Sequence, residues 1–192
     1  MTIEIGEVKK RKVAWGITGA GDKIAEFIEV MKLIQKDYAE IVEIQVFLSK
    51  AADQVLKYYR LEEDLKQNFS KVRVELNSNA PFLAAWMQMR KYEFLLIAPA
   101  TSNTIAKIAN GIGDTMLTNA TIMSLKAFAP VYIAPTDYKE GTMYTKLPNG
   151  KEMKLRVRKE EVEQVKKLRR MEDLYVLEGP QKLREPFQKH FK

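Results

Sequence analysis

Four small polar residues stand in a row at Thr101, Ser102, Asn103 and Thr104, directly after the apolar run EFLLI and before a helical pattern of apolar residues. Hydroxyl and carboxamide groups both donate and accept, as the edge of a heterocycle requires. One such residue is enough to cap a helix, and a single cap leaves the other three without a purpose. Two further clusters have the same setting. Gly16-Ile17-Thr18-Gly19-Ala20-Gly21 follows the short apolar run KVAWGI, and its glycines allow close backbone approach to a phosphate at a helix start. The glycines fall in the order GxxGxG, which departs from the GxGxxG of a dinucleotide fingerprint. Ser49-Lys50 follows VEIQVFL. An NAD site would carry an acidic residue there for the ribose hydroxyls, whereas Ser and Lys suit a phosphate. Two ligands fit that position, the 2′-phosphate of NADP or the phosphate of a mononucleotide such as FMN. Each cluster also has a plain alternative, a tight turn or a helix cap with no ligand.

The composition removes several chemistries. The 192 residues contain no cysteine and one histidine, His190. Structural zinc, iron–sulfur ligation, thiol catalysis and a Ser-His-Asp triad are therefore not expected, and redox chemistry would belong to a bound organic cofactor. No catalytic side chain and no metal ligand is assigned. No apolar run approaches the ~20 residues of a membrane span, and KKRK before VAWGITGAG lacks the apolar helical region of a signal peptide. A cytoplasmic protein without membrane contact is expected. The net charge is +7, and residues 151–170 hold nine Lys or Arg against four Glu. A basic surface favours an anionic partner. That stretch lacks interleaved aromatic residues, so nucleic acid is not expected.

The elements that must position the clusters alternate in type. Strands are expected at 12–17, 42–48, 72–76, 93–98, 131–134 and 174–177. Helices are expected from Asp22 as N-cap, over 51–65, from Pro81, over 103–109, from Asp114 to about 127, and around 162–171. Residues 136–150 read as a loop or hairpin, 153–157 as an extended arm, and the tail after Gly179 as loose. This alternation predicts a three-layer α/β/α Rossmann-like sandwich with a mainly parallel sheet. One domain over 1–192 is expected, with a core at about 12–135 and a hairpin and helix extension at about 136–180. Ligands of such sheets bind beyond the C-terminal strand ends, where all three clusters lie. Trp15 and Trp86 fall in apolar runs and read as packing residues, and Tyr138 and Tyr144 as part of a lid.

GITGAG at 16–21, FLSKAA at 47–52 and APATSNTIAKIANGIGDTMLTNA at 98–120 together resemble the homo-oligomeric flavin-containing cysteine decarboxylases. The N-terminal run VAWGITGAGDKIAEFIEVMK is most similar to the archaeal electron-transfer branch, the archaeoflavoproteins. The resemblance implies noncovalent FMN, with Gly19, Ala20 and Gly21 approaching it, Thr18 nearby, Ser49 and Lys50 at its phosphate, and Thr101, Ser102, Asn103 and Thr104 lining the flavin. It also implies a homo-oligomer with the flavin near a subunit interface, often of a trimer, and ferredoxin as electron donor. A sister branch reduces dihydromethanopterin. The decarboxylases carry a catalytic His before the motif-bearing strand, where this chain reads ELNSNAPFLAAWMQMRKYEF. Their PxMNxxMW clamp is here PTDYKEGTMYT, which keeps the proline and little else. Asn103 stands where flavin prenyltransferase shows Arg. The expected function is therefore electron transfer through FMN, with acidic ferredoxin docking on the 151–170 segment. The alternatives are reduction of a pterin-like substrate and a flavin-independent NADP-binding module.

Overall fold

The structure, a computed structural model, describes residues 10–192. A six-stranded parallel sheet is built from β1 (Arg11–Ile17), β2 (Val42–Leu48), β3 (Val72–Val74), β4 (Leu95–Ala100), β5 (Val131–Pro135) and, after a separate antiparallel hairpin of β6 (Gly141–Lys146) and β7 (Glu152–Val157), β8 (Leu174–Val176). Its order is β3-β2-β1-β4-β5-β8. Every residue of β4 and β5 is buried, as expected of strands covered on both faces.

The pleat sends alternate residues to two cores. Val13, Trp15 and Ile17 join Ile24, Phe27, Ile28, Met31 and Ile34 of α1 (Ile24–Asp37) on one face. Ala14, Leu95, Ile97, Val131 and Ile133 join the opposite core. That second core takes side chains from α4 (Leu83–Gln88), α5 (Ser102–Ala109), α6 (Met116–Lys126) and α7 (Lys159–Leu168). These are the three layers that the alternation of elements predicts.

Several boundaries differ from the sequence expectation, each for a local reason. The helix expected over 51–65 is two, α2 (Lys50–Tyr58) and α3 (Glu62–Asn68), separated at Arg60, whose φ is 57°. The strand expected to reach Leu76 stops at Val74, because the Leu76 N–H turns back to the Ala80 carbonyl. Asp22 does not cap α1; Lys23 holds that position in left-handed backbone without a side-chain bond. Asp114 does not cap α6 either. Thr115 does, in a reciprocal capping box with Thr118, and Asp114 pairs instead with Lys107 at 2.8 Å. Pro81 precedes α4 and does not open it. The extended arm at 153–157 is the second strand of the hairpin.

The C-terminal tail is not loose. A 3₁₀ turn (Pro180–Leu183) leads into α8 (Arg184–His190), and Leu183 and Phe187 are fully buried. Phe187 meets Phe94 edge-on at 5.3 Å between ring centroids, and Tyr132 accepts or donates a hydrogen bond with His190 Nε2 at 3.0 Å. Spaced as they are in a polar stretch, these aromatic residues gave no periodic signal in the sequence.

Candidate functional site

The strand order reverses direction between β1 and β4, which are neighbours in the sheet although β2 and β3 separate them in the chain. At such a switch point the loops leaving the two strands diverge to opposite faces and open a crevice. Here the exits of β1 and β4 are clasped together by Thr18. Its hydroxyl donates to the Pro99 carbonyl at 2.9 Å and accepts the Thr101 N–H at 2.9 Å, and its own N–H reaches Pro99 O at 3.2 Å. Pro99 lies where the β4–β5 register shifts, between Ile97 and Ala100. Having no N–H, it asks for no ladder partner there.

Thr18 is buried and its hydroxyl is fully engaged. It positions the two exits and has no donor left for a ligand. The loop after it is different. The N–H groups of Gly19, Ala20 and Gly21 donate to no backbone acceptor among the described residues. They precede a helix start and so form a place for an anion. Gly19 also meets a packing demand, since a Cβ there would lie 2.7 Å from Ala51 Cβ in the first turn of α2. The β1 exit and the α2 start can touch only because residue 19 has no side chain.

At the β2 exit, Ser49 caps α2, its Oγ accepting the Ala52 N–H at 3.0 Å. The hydroxyl hydrogen is left for a ligand. Lys50 is exposed at the rim. At the β4 exit, Thr101 caps α5 by accepting the Thr104 N–H at 3.3 Å, and the two hydroxyls lie 3.1 Å apart. Ser102 donates to Asp137, which also takes the Thr136 hydroxyl at 3.1 Å. Asn103 is exposed and its carboxamide makes no hydrogen bond among the described residues.

Thr18, Gly19, Ser49, Lys50, Thr101, Asn103 and Thr104 line one cleft of about 640 Å³. Ala20, Gly21 and Ser102 lie on an adjoining cleft of about 460 Å³, which shares Thr101 and Asn103 with the first. All ten residues singled out from the sequence thus come to one end of the sheet. The sequence reading passed over four further residues. Glu75 is buried in the larger cleft between α2 and α6, with Asn77 and Thr115 beside it, and Asp137 sits in the smaller one. Glu75 leaves β3 as the other polar residues leave β1, β2 and β4, and its place at a strand exit was the signal available. In sequence it reads as one more charged residue on an exposed strand.

The smaller cleft is mostly apolar. Met143, Met153 and Leu155 of the hairpin line it together with Val55 and Tyr58 of α2 and Tyr59 just after it. Tyr138 and Tyr144 do not face these clefts; they line a separate depression with Lys23 and Lys139. Trp15 is fully buried and donates from Nε1 to Ala98 O at 2.7 Å, and Trp86 packs on Phe47 and Tyr92, so both serve packing. Among the described residues no group of three or more His, Asp or Glu is placed to hold a metal ion, and no helix is long and apolar enough to cross a membrane.

An anion-accepting glycine loop, a Ser at the next helix start and a Thr/Ser/Asn cradle suit a ligand that carries one phosphate and a heterocycle. Residues 1–183 match the model of the Flavoprotein family. The chain belongs to that family. Within it, the chain is 47% identical to an uncharacterized protein of Methanocaldococcus jannaschii, MJ0730, over 93% of this chain and 95% of that one. It is 30% identical to the dihydromethanopterin reductase (acceptor) of the same organism, again with 92% and 95% covered. Among solved structures it is similar to Burkholderia xenovorans DmrB in complex with FMN, described as a cubic protein cage for redox transfer. The TM-score is 0.77 at 30% identity, with 94% of each chain covered. The flavoprotein resemblance read from the three sequence segments therefore holds, and the parallel-sheet sandwich is shared with these relatives.

Proposed function

We propose that this flavoprotein binds FMN in the cleft at the β1–β4 switch point and serves as an electron-transfer protein. The observation that carries the proposal is the convergence of a glycine loop with free N–H groups, Ser49 and the Thr101–Thr104 cradle on two adjoining clefts that share Thr101 and Asn103, in a chain of the Flavoprotein family. The donors fit the group. Gly19, Ala20 and Gly21 offer backbone N–H groups, Ser49 a hydroxyl hydrogen and Lys50 an ammonium to the phosphate. Asn103 and Ser102 stand at the start of α5, where the Asn103 carboxamide would be available to a heterocycle edge. Bound FMN supplies one- and two-electron redox chemistry; the protein supplies position, exclusion of water on one side and a docking surface. Thr18 holds the two exits at fixed separation, so the phosphate and ring sites keep their spacing.

Ferredoxin, an acidic donor, fits the net charge of +7. The Lys166–Lys167 pair is a poor docking point, however. Lys167 Nζ reaches Asn110 Oδ1, past the last turn of α5, and the eight residues of α5 put that end ~12 Å from the cradle. Lys166 is paired with Glu163 at 2.9 Å. Lys154 and Arg156 lie on the hairpin whose other face lines the smaller cleft, and they form no ion pair among the described residues. They are the better candidates.

A second reading is favoured by the apolar cleft between the hairpin and α2 and by the 30% identity to dihydromethanopterin reductase. In it, a pterin-like substrate is reduced at the flavin. The purified protein is expected to be yellow, or to become so with added FMN, and to be reduced anaerobically by ferredoxin faster than by NADPH. The ferredoxin rate should fall as salt rises, and with Lys154→Glu and Arg156→Glu together by about tenfold, since steering by exposed charge is screened within ~10 Å at 0.1 M salt. Turnover of a dihydropterin coupled to flavin oxidation would select the second reading. A colourless protein that takes up no FMN would end both.

A further inference from the structure

Glu75 is the one charged side chain among the buried polar residues described. Burying a carboxylate is costly unless its oxygens are paired, and both are. Oε1 accepts the Met116 N–H at 2.8 Å and Oε2 the Lys50 N–H at 3.3 Å. Met116 and Lys50 are the first residues of α6 and α2, so a single side chain satisfies one free donor at each of two helix starts. Its own backbone is fixed, the Glu75 N–H donating to Leu48 O at 2.8 Å. The carboxylate cannot withdraw without leaving the Met116 N–H unpaired.

The consequence lies in what remains of α2. Ala52 N–H is taken by the Ser49 hydroxyl and Asp53 N–H by the Ser49 carbonyl. Lys50 N–H is taken by Glu75. Only the Ala51 N–H is without an acceptor among the described residues of that first turn. The N-terminus of α2 is a natural anion site, and one of its four first-turn donors already holds an internal anion. We propose that Glu75 is a specificity-determining residue of the cleft: it leaves room and charge for one phosphate, at Ala51, Ser49 and the Gly19–Gly21 loop, and repels a second. This rests on the flavin reading and adds to it that a dinucleotide is refused at the same site that takes a mononucleotide. It also disfavours NADP, whose 2′-phosphate would have to share the Ser49–Lys50 exit with the carboxylate.

The test is a pair of titrations, of FMN and of FAD, into wild type and Glu75→Gln, followed by flavin fluorescence quenching, with circular dichroism to verify the fold. Gln keeps the size and one acceptor and removes the charge. Wild type should prefer FMN by about tenfold or more, and the variant should narrow that preference by about tenfold, because it removes the like charge that repels a second phosphate. A folded variant whose FMN-to-FAD preference stays within about twofold of wild type overturns the proposal. Should the variant not fold, competition in wild type decides. Inorganic phosphate and pyrophosphate displace FMN with similar potency if Glu75 acts as stated, and pyrophosphate is about tenfold better if the cleft is simply an electropositive trap. Failure of wild type to bind any flavin overturns the underlying reading as well, and is recognised by the absence of quenching with both ligands.

Discussion

Thr18 shows how much a single hydroxyl can do when both of its capacities are used. It donates to Pro99 O and accepts from Thr101 N–H, and it is 2% exposed. From sequence it reads as a residue near the cofactor; in the structure it is the joint between the β1 and β4 exits. Thr18→Val keeps the shape, removes both side-chain bonds and leaves the Thr101 N–H unpaired, while Pro99 O keeps the backbone N–H of residue 18. The expected cost is ~1–3 kcal/mol by urea denaturation, with FMN affinity down by about tenfold or more in a fluorescence titration. Thr18→Ser should restore most of both. An unchanged affinity in a destabilised Val variant would show that the two exits keep their spacing without it. Gly19 and Glu75 teach a similar lesson. The glycine at 19 was legible as a ligand-approach residue, but the atom it makes way for is Ala51 Cβ. Glu75 was illegible, because burial of a charged residue after an exposed strand depends on two helix starts distant in sequence.

Among the elements, α8 departs most from its sequence reading. Its residues Phe187 and His190, with Phe191, close the core beneath α1 against Phe94, Tyr132 and Tyr38. Burial, and next the nearby Lys189 ammonium, hold the His190 pKa below its usual value. A histidine with a lowered folded-state pKa binds fewer protons folded than unfolded, so its contribution is full above the unfolded value near 6.5 and is lost as pH falls through the folded value. The thermal midpoint should therefore drop as pH falls below about 6.5, and His190→Gln should flatten that part of the profile. A wild-type midpoint that is level across this window would refute the assignment. The hairpin β6–β7 was anticipated as a loop or hairpin followed by an extended arm, but which of its faces is inward was not, since its alternation is half apolar and half charged. The register Met143↔Leu155 and Thr145↔Met153 puts the apolar half toward the cleft, and pairing alone decides that.

At the scale of the whole molecule, the unresolved balance is an apolar surface. Phe82, Met89 and Phe128 are 63%, 57% and 79% exposed, and Leu76, at 70%, follows the buried Glu75. Exposed apolar side chains, where they are contiguous, mark an interface. The homo-oligomer implied by the family resemblance would use them, and Leu76, which stands between Glu75 and Asn77 of the larger cleft, would put that cleft near a subunit boundary. Phe82→Glu should leave the monomer fold intact and give a smaller species by light scattering, with reduced FMN content; an unchanged mass would place the interface elsewhere. By itself the sequence determined the sandwich class, the strand exits that carry polar and glycine clusters, and the family. Hydrophobic period and turn chemistry are local properties, and three short segments were distinctive enough to identify. Only the tertiary structure decided which donors stay free. Thr18 is used up on Pro99, Ser49 is half used by its own helix, and Lys167 lies at the far end of α5 from the cleft. Glu75 fills two helix starts at once. Those outcomes depend on the β1–β4 adjacency at the switch point, which brings residues 18, 49, 75 and 101 to one crevice although the chain keeps them far apart.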